Sequence, residues 1–348
     1  MSALERLWYG DSAGARLGRA GLAPAELLYR AAVRARGALY DLGVLVSHRA
    51  TLPVLAIGNV SVGGTGKTPV AAWAVSRLRE QGARPALLLR GYGDDEPLVH
   101  QALNPGVPVI TDADRVRGAA AAHSAGADCV VLDDAFQHRR LARTADWVLL
   151  SAERFERSTR LLPAGPLREP LRAIERADVV VVTRKTEPLE HAARIAERVE
   201  SAQGVAAAVI HLASAGVVDT RDGITRSSLA LRDIRVVAVA AVGEPELFFA
   251  QLRAAGALVL HTQTYRDHHR FTSDDVRRIA RATASANAVV CTLKDAVKLA
   301  PLWPRDALPL WYVSQRAEVE RGADVLDASL ALLLGARAST PSTAGAAG

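Results

Sequence analysis

Lysine is the residue this chain nearly does without. Of its 43 basic residues only four are lysine, Lys67, Lys185, Lys294 and Lys298, against 39 arginines. Arginine's planar fork suits bidentate pairing, whereas a compact ammonium on a thin stem fits inside a ring of backbone and touches a terminal phosphate. A lysine kept in so arginine-rich a background points to chemistry, and Lys67 closes the run Ser61-Val62-Gly63-Gly64-Thr65-Gly66-Lys67-Thr68. Chance placement competes as an explanation, more strongly at Lys298 than at Lys67.

Cysteine is equally scarce. Cys129 and Cys291 each sit in a short apolar run, which excludes a disulfide framework and predicts buried, reduced thiols in a cytosolic protein. Aromatics make up 5% of the chain, and without a basic strip studded with them no nucleic-acid partner is expected. There is no uninterrupted apolar stretch of about 18 residues and no signal-peptide pattern, so neither a membrane span nor export is expected.

What is present is a long, aliphatic chain of 348 residues, 49% hydrophobic, with a formal charge of +6. That length predicts two domains. Charge is uneven: residues 1–50 hold seven arginines against four acids. Within 24–46, Leu27, Leu28, Ala31, Ala35, Leu39 and Leu42 fall near helical spacing, with Arg30, Arg34 and Arg36 on other faces and Pro24 as opener. This is the pattern of a basic amphipathic helix lying on a membrane, or of an ordinary surface helix packed on the core.

The run Leu52-Pro-Val-Leu-Ala-Ile-Gly58 predicts a buried strand leading into the glycine loop, and the segment from Pro69 a helix leaving it. That is the context a phosphate-binding loop needs. Further buried strands are expected at Pro85–Leu89, Val107–Ile110, Cys129–Leu132, Trp147–Leu150 and Val179–Val182, alternating with helices over 70–81, 114–124 and 187–201. Such alternation predicts an α/β fold with a doubly wound parallel sheet. Shorter β-like runs over 204–235 read as a linker. A second, smaller α/β domain follows over 236–337, with strands Val236–Val242, 257–261, Ala288–Thr292 and Trp311–Val313 and helices over 244–255, 273–284 and 317–334. Residues 338–348 read as a disordered tail. The expected plan is therefore a docking segment (1–50), a phosphate-loop domain (51–203), the linker, the C-terminal domain and the tail.

Several groups carry chemistry. Backbone N–H groups of the glycine loop and the following helix N-terminus would surround phosphate oxygens. Lys67 would neutralise the β- and γ-phosphates and Thr68 offer its hydroxyl to Mg²⁺. Ser61 stands where the strict pattern has glycine. Asp133-Asp134 ends an apolar strand, where a phosphate-loop enzyme needs a carboxylate facing magnesium; an acidic turn is the plainer reading. Asp95-Glu96-Pro97 is a second acidic pair, and Leu161–Pro170 is a stiff loop presenting Arg168 and Glu169. Asp267-His268-His269 fits a general-base assembly or a helix-capping loop, and a metal pair least of all, for want of a third ligand nearby.

Taken in order, Gly58-Asn-Val-Ser-Val-Gly-Gly-Thr-Gly-Lys-Thr-Pro69, Arg90-Gly-Tyr-Gly93, Asp95-Glu-Pro97, Asp133-Asp-Ala-Phe-Gln-His138, Leu162-Pro-Ala-Gly-Pro-Leu-Arg-Glu-Pro170, Asp267-His-His269 and Lys294-Asp-Ala-Val-Lys298 resemble the tetraacyldisaccharide 4′-kinase family of lipid A biosynthesis. The resemblance implies transfer of the ATP γ-phosphate to the 4′-hydroxyl of a tetraacylated glucosamine disaccharide 1-phosphate at the cytoplasmic face of the inner membrane. Asp95 then resembles the base that takes the hydroxyl proton, with His268 as its partner from the second domain. Thr68, Glu96, Asp133, Asp134 and Glu169 resemble the magnesium and water-ordering set, and Arg168 a phosphate contact. Asp94 and His269 compete for the base roles. Ala135, where the family more often has glycine, is expected to tighten the turn after the acid pair. A monomer is expected.

The rival reading is a phosphate-loop GTPase or nucleotide-dependent switch. Thr183-Arg184-Lys185-Thr186 falls where such proteins read guanine but lacks the required aspartate, so adenine is favoured.

Overall fold

Apolar runs rich in valine, leucine and alanine, separated by glycine and polar turns, become strands buried on both faces in the computed structural model, which describes residues 3–91, 95–155, 157–243 and 245–338. Two compact units emerge. The larger holds the described residues of 3–91, 103–212 and 317–338; the smaller holds 95–102 and 213–316. The chain leaves the larger unit within the strand Ala206–Asp219 and re-enters it within Leu310–Arg321.

In the larger unit the strands run Ala206–Asp219, Val179–Arg184, Ala145–Ser151, Val54–Asn59, Cys129–Asp133, Pro85–Leu89 and Val109–Thr111 across the sheet, all parallel. The register pairs Ile57 with Asp133 on one side and with Trp147 on the other. The carboxyl end of Cys129–Asp133 is thereby brought beside the strand that feeds the glycine loop.

Helix Lys67–Glu80 buries Val70, Ala71, Ala74, Val75 and Leu78 against Leu55, Ile57 and Trp147, and the C-terminal helix Ala323–Ala338 adds Leu326, Leu330 and Leu333 to that core. Each such leucine contributes about 1.5–3 kcal/mol by leaving water. The Trp147 indole, buried in the same core, donates to Ser329 Oγ at 2.8 Å. Helices Arg115–Ser124 and Leu189–Gln203 bury their small residues against the opposite sheet face.

Three elements differ from expectation. Residues 317–321, expected as helix, continue the strand Leu310–Arg321. The strand stops at Gly322, whose φ of +72° and approach to the Ala207 carbonyl (2.7 Å for an added Cβ) admit only glycine. The helix Ala323–Ala338 then packs in the larger unit, so the chain divides at 212/213 and 316/317 rather than at the expected 236 and 337. The expected linker is instead dominated by one strand of 14 residues, Ala206–Asp219. A short helix Ala3–Tyr9 comes first, and the helix expected to open at Pro24 instead begins at Ala13, capped by Ser12 Oγ accepting from the Ala15 N–H, and runs to Asp41 with Pro24 inside it.

That helix is fastened by polar contacts. Glu26 accepts from the Leu161 N–H and from Arg30, Tyr29 donates to the Arg168 carbonyl, and Arg36 to the Gln137 carbonyl. Its leucines face away: Leu17, Leu27 and Leu28 are exposed, Leu28 at 75%. An ordinary surface helix would bury that stripe. No helix among the described residues is long and apolar enough to cross a membrane. The tail expected to be disordered lies outside the described residues except Ala338.

The smaller unit has four parallel strands in the order Leu258–Thr264, Arg235–Ala240, Ala288–Thr292 and Leu310–Arg321, with helices Pro245–Ala254, Ser273–Arg281 and Leu293–Leu299. To it belongs most of the helix Asp95–Leu103, whose first turn carries the second acidic pair. Pro97 is tolerated there because it stands in the first turn, whose N–H groups have no partner within the helix.

Candidate active site

Two clusters gather the expected residues, one in each unit. In the larger unit, strand Val54–Asn59 opens into the glycine loop, which closes on helix Lys67–Glu80. Gly66 caps that helix with φ +79°, and an added Cβ would lie 2.3 Å from Leu212 Cδ1. Thr65 is buried and held by Asn59 Nδ2 through its hydroxyl (3.0 Å) and by Thr183 Oγ1 through its carbonyl (2.9 Å). The loop's backbone is thus stiffened from behind by two neighbouring strands.

The Leu161–Pro170 segment is laced to the same loop. The Val62 N–H donates to the Pro166 carbonyl (2.8 Å) and the Arg168 N–H to the Val60 carbonyl (2.7 Å), and Ser61 bridges Leu167. This lacing delivers the Arg168 side chain to Asp134, whose two oxygens lie 3.0 and 3.1 Å from Nη1. Lys67 Nζ reaches the same carboxylate at 3.3 Å. Beside it, Thr68 Oγ1 donates to Asp133 Oδ2 at 3.3 Å. Burial alone would raise the Asp134 carboxyl, but the Lys67 and Arg168 charges outweigh it and hold the group below its ordinary value.

The sharp turn expected at Ala135 is made one residue earlier. Asp134 takes φ +55°, and Ala135 is buried, donating to the Ile57 carbonyl. Aspartate tolerates this left-handed conformation better than most residues. Glu169 is buried and accepts from Arg176 Nη2 at 2.9 Å, while its Oε1 accepts no hydrogen bond among the described residues. Arg176 also lies over the Phe136 ring, 4.6 Å from its centroid. No motif contains Arg176, and only the 3₁₀ helix Leu171–Arg176 that follows Pro170 brings it to Glu169.

In the smaller unit, Asp95 begins the helix Asp95–Leu103, where the positive end of the helix dipole favours a carboxylate. Its Oδ1 lies 2.8 Å from His268 Nδ1. His268, with φ +58°, sits in the loop between strand Leu258–Thr264 and helix Ser273–Arg281. Burial acts to raise the Asp95 carboxyl, yet His268, Lys298 and Lys294 together bring it below the ordinary range.

The neighbouring histidine has other work. His269 Nε2 meets Asp275 Oδ2 at 3.0 Å, and Asp275 completes a capping box with Thr272 at the start of helix Ser273–Arg281. The His269 ring also stacks on Tyr265, centroids 4.8 Å apart. Of the two histidines left open by the sequence, His268 is therefore the one that meets Asp95. Asp94, like Tyr92 and Gly93 of the preceding motif, lies outside the described residues. Glu96, expected with the magnesium set, belongs to the smaller unit, whereas Thr68, Asp133, Asp134 and Glu169 belong to the larger. Among the described residues no three His, Cys, Asp or Glu side chains gather as a metal cluster.

A family model described as tetraacyldisaccharide-1-P 4′-kinase matches residues 19–333. The tetraacyldisaccharide 4′-kinase of Anaeromyxobacter sp. (strain Fw109-5) is 40% identical over 359 residues, covering 95% of this chain and 96% of the relative. That of Halorhodospira halophila (strain DSM 244 / SL1) is 37% identical over 345 residues, covering 94% and 95%. Among solved structures, LpxK from Aquifex aeolicus in complex with ATP superposes with a TM-score of 0.72 at 25% identity, covering 90% of this chain and 99% of that one.

Proposed function

The chain belongs to the tetraacyldisaccharide 4′-kinase family, and from that premise we propose that it transfers the γ-phosphate of ATP to the 4′-hydroxyl of a tetraacylated glucosamine disaccharide 1-phosphate in lipid A synthesis. One observation carries the assignment of roles: Lys67 and Arg168 converge on Asp134 at the glycine loop, beside the Thr68–Asp133 pair. Two cations aimed at one anionic position are what a transferring phosphoryl group requires, since its chemistry needs positioning and charge neutralisation more than covalent help. In this reading Asp134 keeps the two cations paired, and the nucleotide's phosphates compete for them, seated on the backbone N–H groups of residues 61–68.

The donor set suits Mg²⁺. Thr68 Oγ1 and Asp133 Oδ2 are hard oxygens, and magnesium takes only one or two protein oxygens, completing its shell with phosphate and water. The unpartnered, buried Glu169 Oε1 suits an ordered water of that shell. When bound, the ion neutralises charge on the β- and γ-phosphates. Asp95 and His268, coupled across 2.8 Å, act as one unit that takes the proton from the 4′-hydroxyl.

A substrate with four acyl chains stays in the bilayer, because exposing each methylene costs about 0.8 kcal/mol. The enzyme comes to it. The exposed leucines of helix Ala13–Asp41, with Arg34 beside them, rest on the cytoplasmic face of the inner membrane, whereas Arg30 and Arg36 are engaged by Glu26 and the Gln137 carbonyl on the fastened side. Each arginine near anionic headgroups contributes roughly 1 kcal/mol. The enzyme works there as a monomer.

Phosphate transfer from radiolabelled ATP to detergent-solubilised tetraacyl disaccharide 1-phosphate tests this reading. Wild type is expected to label the lipid and Lys67→Ala to leave it unlabelled. Equal labelling by both would refute the role of the loop.

A further inference from the structure

Two of the four lysines, Lys294 and Lys298, lie on helix Leu293–Leu299, and the reaction as described above uses neither. Lys298 is placed with care. Its Nζ lies 3.4 Å from Asp95 Oδ2, the oxygen opposite the one that meets His268. Its side chain is only 11% exposed, and Nζ lies 5.6 Å from the centre of the Phe271 ring. A second carboxylate, Asp295, lies 4.0 Å away and is itself anchored, accepting from the Ala241 N–H at 3.2 Å and from the Thr292 hydroxyl at 2.7 Å.

The contacts therefore run from a buried carboxylate anchor, Asp295, through the Lys298 ammonium and the Asp95 carboxylate to a half-exposed imidazole, His268. A carboxylate with one occupied oxygen can rotate about its last bond, for that torsion is broad and twofold. With the second oxygen held by a tethered ammonium, rotation is blocked. We propose that Lys298 is a positioning residue for the Asp95–His268 pair: by holding Asp95 Oδ2 it directs Oδ1 to the His268 Nδ1–H and so leaves the lone pair on Nε2. The proposal rests on reading that pair as the base.

The same contact helps keep Asp95 ionised, with Lys294 adding charge; Asp267 also faces the imidazole, its Oδ1 3.9 Å from His268 Nε2. Arginine at 298 would restore the charge but present a wider fork. Methionine would restore the stem alone.

The test uses the full chain, with Lys298→Met and Lys298→Arg compared with wild type in steady-state kinetics and in ¹⁵N spectra of the imidazoles, His268 being assigned through His268→Gln. The expected result is a kcat lowered about 10- to 100-fold in Lys298→Met with the KM for ATP within about twofold, and substantial recovery in Lys298→Arg. The wild-type His268 signals should report a protonated Nδ1 and a bare Nε2, and Lys298→Met should mix the two tautomers. Wild-type kcat in Lys298→Met would overturn the proposal, and so would lowered kcat with no rescue by arginine and an unchanged His268 spectrum. Should Lys298→Met fail to fold, Lys298→Gln takes the same measurements with the same two outcomes. Asp95→Asn and His268→Gln run alongside: wild-type turnover in these would sink the base reading itself, whereas inactive dyad variants beside a fully active Lys298→Met would sink the positioning role alone.

Discussion

Lys67 and Arg168, far apart in sequence, hold the same carboxylate: Asp134 lies 3.3 Å from Lys67 Nζ and 3.0 Å from Arg168 Nη1. Lys67 stands at the first position of a helix, and Arg168 is delivered by a loop laced to the phosphate loop through its backbone. In the proposed roles both cations act on charge that develops during transfer, so Arg168→Ala should lower kcat by about 10²-fold or more while changing ATP affinity far less. Single-turnover rates and equilibrium ATP binding check this together. A loss confined to binding would place Arg168 in ground-state recognition only.

The two adjacent histidines should separate cleanly. His268→Gln and Asp95→Asn are each expected to slow turnover by about 10²–10⁴-fold with little change in melting temperature. His269→Gln should do the reverse, leaving turnover near wild type and lowering stability by about 0.5–2 kcal/mol through the weakened cap at Asp275. Urea unfolding and the transfer assay, run on all three, read both effects.

Leu27 and Leu28 are exposed on a helix whose buried side is fastened by Glu26 and Tyr29. Replacing both leucines by serine should therefore spare the fold. Binding to vesicles containing anionic lipid should weaken about tenfold or more, since each inserted leucine contributes of the order of 1.5–3 kcal/mol. Unchanged vesicle binding with an unchanged melting temperature would remove the helix from the membrane account.

His138 sits partly buried among arginines. Burial first, then the charges of Arg115, Arg143 and Arg36, depress its pKa from 6.5 to about 4. The folded state thus binds fewer protons than the unfolded chain between those values, so stability present above pH 6.5 is lost as pH falls toward about 4. The urea midpoint of His138→Gln should fall less steeply than that of wild type across this window. Parallel curves would mean that His138 titrates normally.

Much of this arrangement was legible because strand ends carry the chemistry. Apolar runs locate the strands, and the glycine loop and Asp133-Asp134 follow two of them directly. The choice of His268 over His269 was not legible, since it depends on Asp275 claiming one ring through a capping box formed six residues on. Nor was the destination of residues 317–338: an alternating polar segment ending in glycine reads as helix until Gly322 is seen against the Ala207 carbonyl. The helix opening at Asp95-Glu96-Pro97 was not legible either, because proline usually ends helices and only the first turn tolerates it. The two ammonium contacts of Asp95 and Asp134 depend on tertiary placement that no local pattern encodes.

The most direct test of the account is the ³¹P NMR spectrum of the lipid product after incubation of tetraacyl disaccharide 1-phosphate with ATP, Mg²⁺ and the enzyme. A second phosphomonoester resonance coupled to the proton at the 4′ position is expected, absent when Asp95→Asn replaces wild type. ATP consumed to ADP and free phosphate with the lipid unchanged, or a phosphate at another hydroxyl, would contradict it.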